Sequence, residues 1–241
     1  MTFSIVAQCS RTDMVGVAVS TAVPAVGSLC SFSAARVGAL SAQAWVNPYP
    51  GIDGLALLRA GLDARHTLEH LLADDPGRAS RQLGIVDADG QAAAYTGADC
   101  PAWAGHRLGA GYSVQGNLLT GGVVMDAMAA RFEATTEQDL PERLMQALEA
   151  GQRVGGDRRG RQSAAIRVHD MEEYPYVDVR VDEHPDPVAE LRRVWNVARQ
   201  QLLPLLRLMP TPDNPLGRHD PRLTDFIMLS PQERAALPGV T

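Results

Sequence analysis

A threonine at position 2, directly behind the initiator methionine in MTFSIVAQ, carries a hydroxyl and, once Met1 is removed, a free α-amine. One residue then holds a nucleophile together with its own base. An α-amine titrates at about 7.7–8.0, so a useful fraction is neutral near physiological pH and can take the hydroxyl proton directly or through a water. Met-Thr is also simply a common way for a chain to start, and on the dipeptide alone that plainer reading wins.

Three other constellations could carry chemistry. GDRRGRQS sets Asp157, Arg158, Arg159 and Arg161 around a glycine just before a strand, where guanidinium groups could clamp a substrate carboxylate bidentately, or simply pair with nearby acids in a solvated loop. HTLEH, from His66 to His70, matches the inverted zinc-protease pattern H-x-x-E-H. Leu68, Leu71 and Leu72 define the buried face of that helix, which turns His66, Glu69 and His70 toward solvent, and no third ligand is identifiable, so no metal site is expected. His106 stands alone beside Trp103 and reads as a packed or hydrogen-bonded residue. GHRLGAGYSVQG has neither the spacing nor the following helix of a nucleotide fingerprint, and no cofactor is expected.

The elements that must position these groups read as follows. Thr2–Ala7 alternates polar and apolar, CSRTD is a turn, and Val15, Val17 and Val19 alternate again, a hairpin pattern. Two short strands follow, joined near Ala35–Arg36, and Met14–Ala35 as a whole predicts strand, turn, strand. GIDGLALLRAGLDARHTLEHLLADDPG shifts to helical spacing and predicts two helices, the second closed by Pro76-Gly77. RQLGIVDADGQAAAYTG predicts a hairpin with Asp89-Gly90 at its tip, and GYSVQGN a further strand. Helices are expected near 121–134 and 138–153, strands in RQSAAIRVH and YVDVRVD, and a long helix from about Pro187 to Leu208. From Pro210 onward six of the sixteen prolines and little periodicity predict an extension. Blocks of strands followed by blocks of helices point to an α+β architecture, with one domain over 1–208 and a Pro-rich extension over 209–241. Phe226, Ile227 and Leu229 in that extension would dock on a neighbouring subunit or on the domain itself, and a homo-oligomer is expected.

Composition removes several function classes. All 22 basic residues are arginine, which excludes Schiff-base lysines, lysine general bases and a P-loop lysine. A net charge of −6 offers no general attraction to nucleic acid or to anionic membranes. No basic stretch precedes an apolar core as in a signal peptide, and three scattered cysteines without a CxxC suit a reducing compartment, so a cytoplasmic protein is expected.

TFSIVA, GVAVST, GALSAQAWVNP, QLGIVDADG, YTGADCPAWAGH, VQGNLLTG, GDRRGRQSAA and VDVRVDEHPDPVAELRR, in this order, resemble the DUF1028 family over roughly residues 2–200. That is a family of uncharacterised proteins assigned to the N-terminal-nucleophile (Ntn) hydrolase superfamily. The resemblance implies an Ntn-hydrolase-like four-layer αββα sandwich and hydrolysis of an amide or related C–N bond in a small-molecule substrate, with Thr2 as nucleophile. In such a site a side-chain amide can donate to the tetrahedral oxyanion. Asn117 in QGN is the leading candidate, with Gln43 and Asn47 in QAWVNP as alternatives, although each amide could equally satisfy turn backbone. Asp157 or Ser163 would orient the α-amine, and Arg158 and Arg161 would hold the substrate. The rival reading is a non-catalytic protein of this fold that binds a small molecule or assembles with partners, and the third, behind both, is a zinc hydrolase through His66 and His70.

Overall fold

The computed structural model describes residues 2–237. Strands β1 (Thr2–Gln8) and β2 (Val15–Thr21) make the expected hairpin. The segment after β2 is not the expected turn: it forms a short helix, α1 (Val26–Cys30), entered through Ala25 in the left-handed conformation at φ 55°. Strands β3 (Ser31–Ala34) and β4 (Gly38–Ala44) follow, then helices α2 (Tyr49–Arg59) and α3 (Ala64–Ala73). The hairpin β5 (Arg81–Asp87) and β6 (Ala92–Thr96) turns at Asp89-Gly90.

Strand β7 (Gly105–Gly109) is an addition to the expected set, and β8 (Tyr112–Asn117) coincides with GYSVQGN. β7 is short and lies at the edge of its sheet, so its GHRLG sequence carries little alternation to betray it. Helices α4 (Val123–Glu133) and α5 (Leu140–Arg153) lead to strands β9 (Ser163–His169) and β10 (Val177–Val181). Helix α6 (Pro187–Gln201) stops short of the expected Leu208. Pro204 has no N–H to donate to a carbonyl one turn back, and the chain restarts as the single turn α7 (Leu203–Leu206).

Two compact units divide the chain at residues 191 and 192, within α6. The second unit holds two helices where an irregular extension was expected, α8 (Pro221–Met228) and α9 (Pro231–Ala235). Their prolines start helices instead of preventing them. Pro221 and Pro231 occupy first-turn positions where no N–H is needed, behind Asp220, which caps the Arg222 amide, and Ser230, which forms a capping box with Glu233. Phe226 is buried, whereas Ile227 and Met228 are exposed. No helix among the described residues is long and apolar enough to cross a membrane.

In the first unit, all strand pairings are antiparallel. One sheet runs β10-β9-β2-β1-β8-β7, with β1 near its middle, and the other runs β3-β4-β5-β6. The sheets face each other, β1 and β2 against β4, and β5 against β8. α5 packs on β1, β2 and β9 with α4 beside it, and α2 and α3 pack on β3–β6. The odd residues of β1 point at the helices. A Cβ on Gly151 of α5 would sit 2.8 Å from Met128 of α4 and 3.3 Å from Phe3, so the glycine lets α5 lie close to α4 and, less tightly, to β1.

The even residues of β1 point between the sheets, and there the character of the core changes along the strand. At one end Val6 packs with Val15, Val17, Ala39 and Val86. At the other end the space is filled by amides and hydroxyls. The Ser4 hydroxyl donates to Gln43 Oε1 (2.8 Å) and accepts from Gln115 Nε2 (2.6 Å), whose Oε1 accepts from Ser113 (2.7 Å). Gln82 joins the two sheets. Its Oε1 accepts from Gln43 Nε2 (2.7 Å) and Asn117 Nδ2 (2.9 Å). Its Nε2 faces Gly116 O (2.8 Å), Thr96 Oγ1 (2.9 Å) and Gly105 O (3.0 Å). Donors on one side and acceptors on the other leave the amide a single workable orientation.

A buried amide costs free energy unless its hydrogen bonds are made. Removing one member therefore strands its partners at about 1–3 kcal/mol each. Gln82→Leu is expected to lower the unfolding free energy by at least about 3 kcal/mol in a urea titration, since Gln43 Nε2, Asn117 Nδ2 and two backbone carbonyls lose their partner. A change within about 0.5 kcal/mol, the ordinary range of surface substitutions, would show that the layer does not stabilise the fold.

Candidate functional site

Thr2 opens β1 and sits opposite Asn117 of β8 in the antiparallel register, so the two side chains share one face of the sheet. That face is the polar end of the inter-sheet layer, and both residues are buried. Thr2 Oγ1 lies 3.4 Å from Thr21 Oγ1, and the Thr2 carbonyl accepts from Gln43 Nε2 at 3.4 Å. Asn117 spends one Nδ2 hydrogen on Gln82, while its buried Oδ1 makes no hydrogen bond. Two of the three amide candidates, Asn117 and Gln43, thus converge on Thr2.

Thr2 also lines a cavity of about 330 Å³ whose other walls are apolar, among them Val23, Leu29, Ala44 and Trp45. None of the lining side chains is charged. Trp45 is 76% exposed at the mouth, yet its backbone is pinned. Its N–H donates to Ser80 O (3.1 Å), and its carbonyl accepts from Arg81 (2.7 Å), which is itself ion-paired to the largely buried Asp75 (2.9 Å). Cys30 lines the same cavity, but burial pushes its thiol up to about 12, which keeps it protonated and removes it as a rival nucleophile at neutral pH. Three residues with side chains adopt positive φ around this site: Ala25 (55°), Ala44 (72°) and Leu118 (51°). Such conformations cost about 1–3 kcal/mol each and persist where the surroundings hold them.

The loop residues tie the walls together. Asp157, almost fully buried, accepts from the backbone amides of Ala22 (3.0 Å) and Arg159 (2.9 Å), and Arg158 N donates to Leu118 O (3.2 Å). The chain just after β2 is thereby fastened to the chain just after β8, one on each side of Thr2. Ser163 donates to Val23 O (2.6 Å) and accepts from Val26 N (3.1 Å), fixing the start of α1 and the cavity wall. The arginines point elsewhere: Arg158 is exposed, Arg161 pairs with Asp186 (3.1 Å), and neither lines the cavity. Asn47 is not brought to Thr2. Its Oδ1 caps the Tyr49 amide (3.1 Å), and it borders a separate cavity of about 590 Å³ with Asp53 and His70.

His66 and His70 are exposed, and His66 Nδ1 is 2.8 Å from Asp63, the residue that caps α3. Among the described residues no three His, Cys, Asp or Glu side chains gather into a metal-binding group. His106 Nδ1 lies 2.9 Å from Thr96 Oγ1, and burial holds the ring below its ordinary pKa. Sequence reasoning missed Gln82 and Trp45. A signal for Gln82 was present, because it stands in the same alternating register as Gly84 and Val86, on the inward side of a strand otherwise apolar there.

A family model described as a family of unknown function, DUF1028, matches residues 2–191. The crystal structure of a Silicibacter pomeroyi protein of that family is similar to this chain at 31% identity, over 91% of this chain and 96% of the other, with a TM-score of 0.83. Anbu, an ancestral β-subunit from Yersinia bercovieri, aligns over 87% of this chain and 98% of its own at 10% identity and a TM-score of 0.39, a likeness too slight to carry an argument. No curated protein matches. The chain therefore belongs to the DUF1028 family.

Proposed function

We propose that this chain is an N-terminal-nucleophile hydrolase of a small amide or related C–N bond, with Thr2 as nucleophile after removal of Met1. The observation that carries the reading is the place of Thr2: at the head of a central strand, opposite Asn117, and in the wall of an otherwise apolar cavity. Two facing sheets, with α4 and α5 outside one and α2 and α3 outside the other, support the αββα sandwich of that superfamily.

In the proposed reaction the neutral α-amine takes the Thr2 hydroxyl proton as Oγ1 attacks the substrate carbonyl carbon. Negative charge moves to the carbonyl oxygen, where the uncommitted Nδ2 hydrogen of Asn117 is the donor. Gln82 fixes the plane of that amide, so no reorganisation is needed when the charge appears. The ammonium then gives its proton to the leaving nitrogen, the C–N bond breaks, and an acyl ester remains on Thr2. Water, activated by the same amine, releases the acid. A lysine has no part in this, since the chain contains none. With no charge lining the cavity, a neutral, apolar acyl group suits it best, while Asp157 and Ser163 serve as positioning residues that hold its walls.

A β-lactone tests the reading without a known substrate, because ring opening by the Thr2 hydroxyl leaves a stable ester. One adduct is expected, mapped by mass spectrometry to Thr2, retained in Thr2→Ser and lost in Thr2→Ala. An adduct that persists in Thr2→Ala would refute the nucleophile. The labelling rate should also rise with pH and level off above about 8, because only the amine's neutral form, dominant above its pKa, accepts the proton. A rate independent of pH across that range would remove the amine from the mechanism.

A further inference from the structure

At the opposite end of β1, about 20 Å from Thr2 at the rise of an extended strand, Cys9 opens the turn into β2. The turn is tight: Cys9 N donates to Met14 O (2.9 Å), and the amides of Thr12 and Asp13 donate to Cys9 O (3.1 and 2.8 Å). Cys9 is 3% exposed to bulk solvent but borders a cavity of about 450 Å³. Arg143 of α5 borders the same cavity and is only 8% exposed. Its guanidinium stacks on the Phe132 ring at 3.9 Å and donates to Phe132 O (3.3 Å), but it forms no ion pair with any described residue.

A buried cation without a counter-ion is costly, and buried charges are normally paired. Two donors at this corner are likewise unspent: Arg143 Nε and the Thr12 hydroxyl are both buried, and neither makes a hydrogen bond. The backbone amides of Arg11 and Thr12 also reach Cys9. The other charged groups at this cavity are Arg11, held by Asp139 (3.4 Å) and Gln138 O (3.0 Å), and Asp89.

We propose that Cys9 is a reactive thiol whose anion pairs with Arg143, and a site of covalent modification by small soft electrophiles that enter through this cavity. The sulfur lone pair forms a bond to the electrophilic carbon, the leaving group departs with its bonding electrons, and Arg143 is left without its anion. Burial by itself would raise the thiol, but the Thr12 hydroxyl, the amides of Arg11 and Thr12 and the Arg143 charge together outweigh it and hold Cys9 below the ordinary thiol value. The other two cysteines go the opposite way: burial pushes Cys30 up to about 12 and also raises Cys100.

The ultraviolet absorbance of thiolate, taken as wild type minus Cys9→Ser across a pH titration, reads ionisation independently of access. A midpoint below the free-cysteine value of about 8.5 is expected, and Arg143→Met should move it up by about one unit, a tenfold loss of thiolate at pH below both midpoints. Thr12→Val, which leaves Arg143 in place, should shift it upward by less and covers the case in which Arg143→Met fails to fold. Iodoacetamide at pH 7, followed by peptide mapping, should modify Cys9 at least about tenfold faster than Cys30 or Cys100. A midpoint at or above the free value, or equal alkylation of the three cysteines, would overturn the proposal.

Discussion

The side-chain amide of Gln82 is the point on which the two sheets agree. It is buried, it takes hydrogen bonds from Gln43 on its own sheet and Asn117 on the other, and it donates to the backbone of β8. A core built of valines at this depth would tolerate small slippage between sheets, because apolar contact has no direction. A saturated amide does not, since each misaligned bond leaves a buried group unpaired. The register of β4, β5 and β8 around Thr2 follows from that constraint. The apolar half of the same layer, around Val6 and Val86, supplies adhesion without such specificity.

This division explains why the Thr2 end of the molecule can be both polar and rigid. Asp157 and Ser163 fasten the segments leaving β2 and β8, and Arg81 with Asp75 fastens the segment leaving β4. Three non-glycine residues are held at positive φ within those segments. An exposed Trp45 on a pinned backbone and a cavity lined by no charged side chain complete that end of the first unit. The arginines that looked like a clamp in the sequence instead point outward or pair with acids nearby, and Asp157 contributes through backbone amides.

Local patterns were legible in the sequence. The hairpin of β1 and β2, the strand at GYSVQGN, the paired helices and the alternation of VDVRV all follow from periods of two and of about three and a half residues. Thr2 was identifiable as a candidate from its residue type and position, and Asn117 through the family resemblance. The opposition of Thr2 and Asn117, separated by most of the first half of the chain, depends on sheet topology and was not visible. Neither was the meeting of Gln82 with Asn117 or of Cys9 with Arg143, since no local period encodes contacts between distant strands and helices. The helices beyond Pro210 were obscured for a different reason: many prolines and little periodicity predict an extension, whereas behind Asp220 and Ser230 proline starts a helix.

The central claim is that Thr2 works through its own α-amine, which exists only when Met1 is gone. The most direct measurement is the intact mass, with N-terminal sequencing, of the untagged protein purified from its own cells. The account predicts a mass lacking methionine and a first residue of threonine. A homogeneous product that retains Met1 would leave the Thr2 nitrogen in an amide bond, without basicity, and would contradict the mechanism.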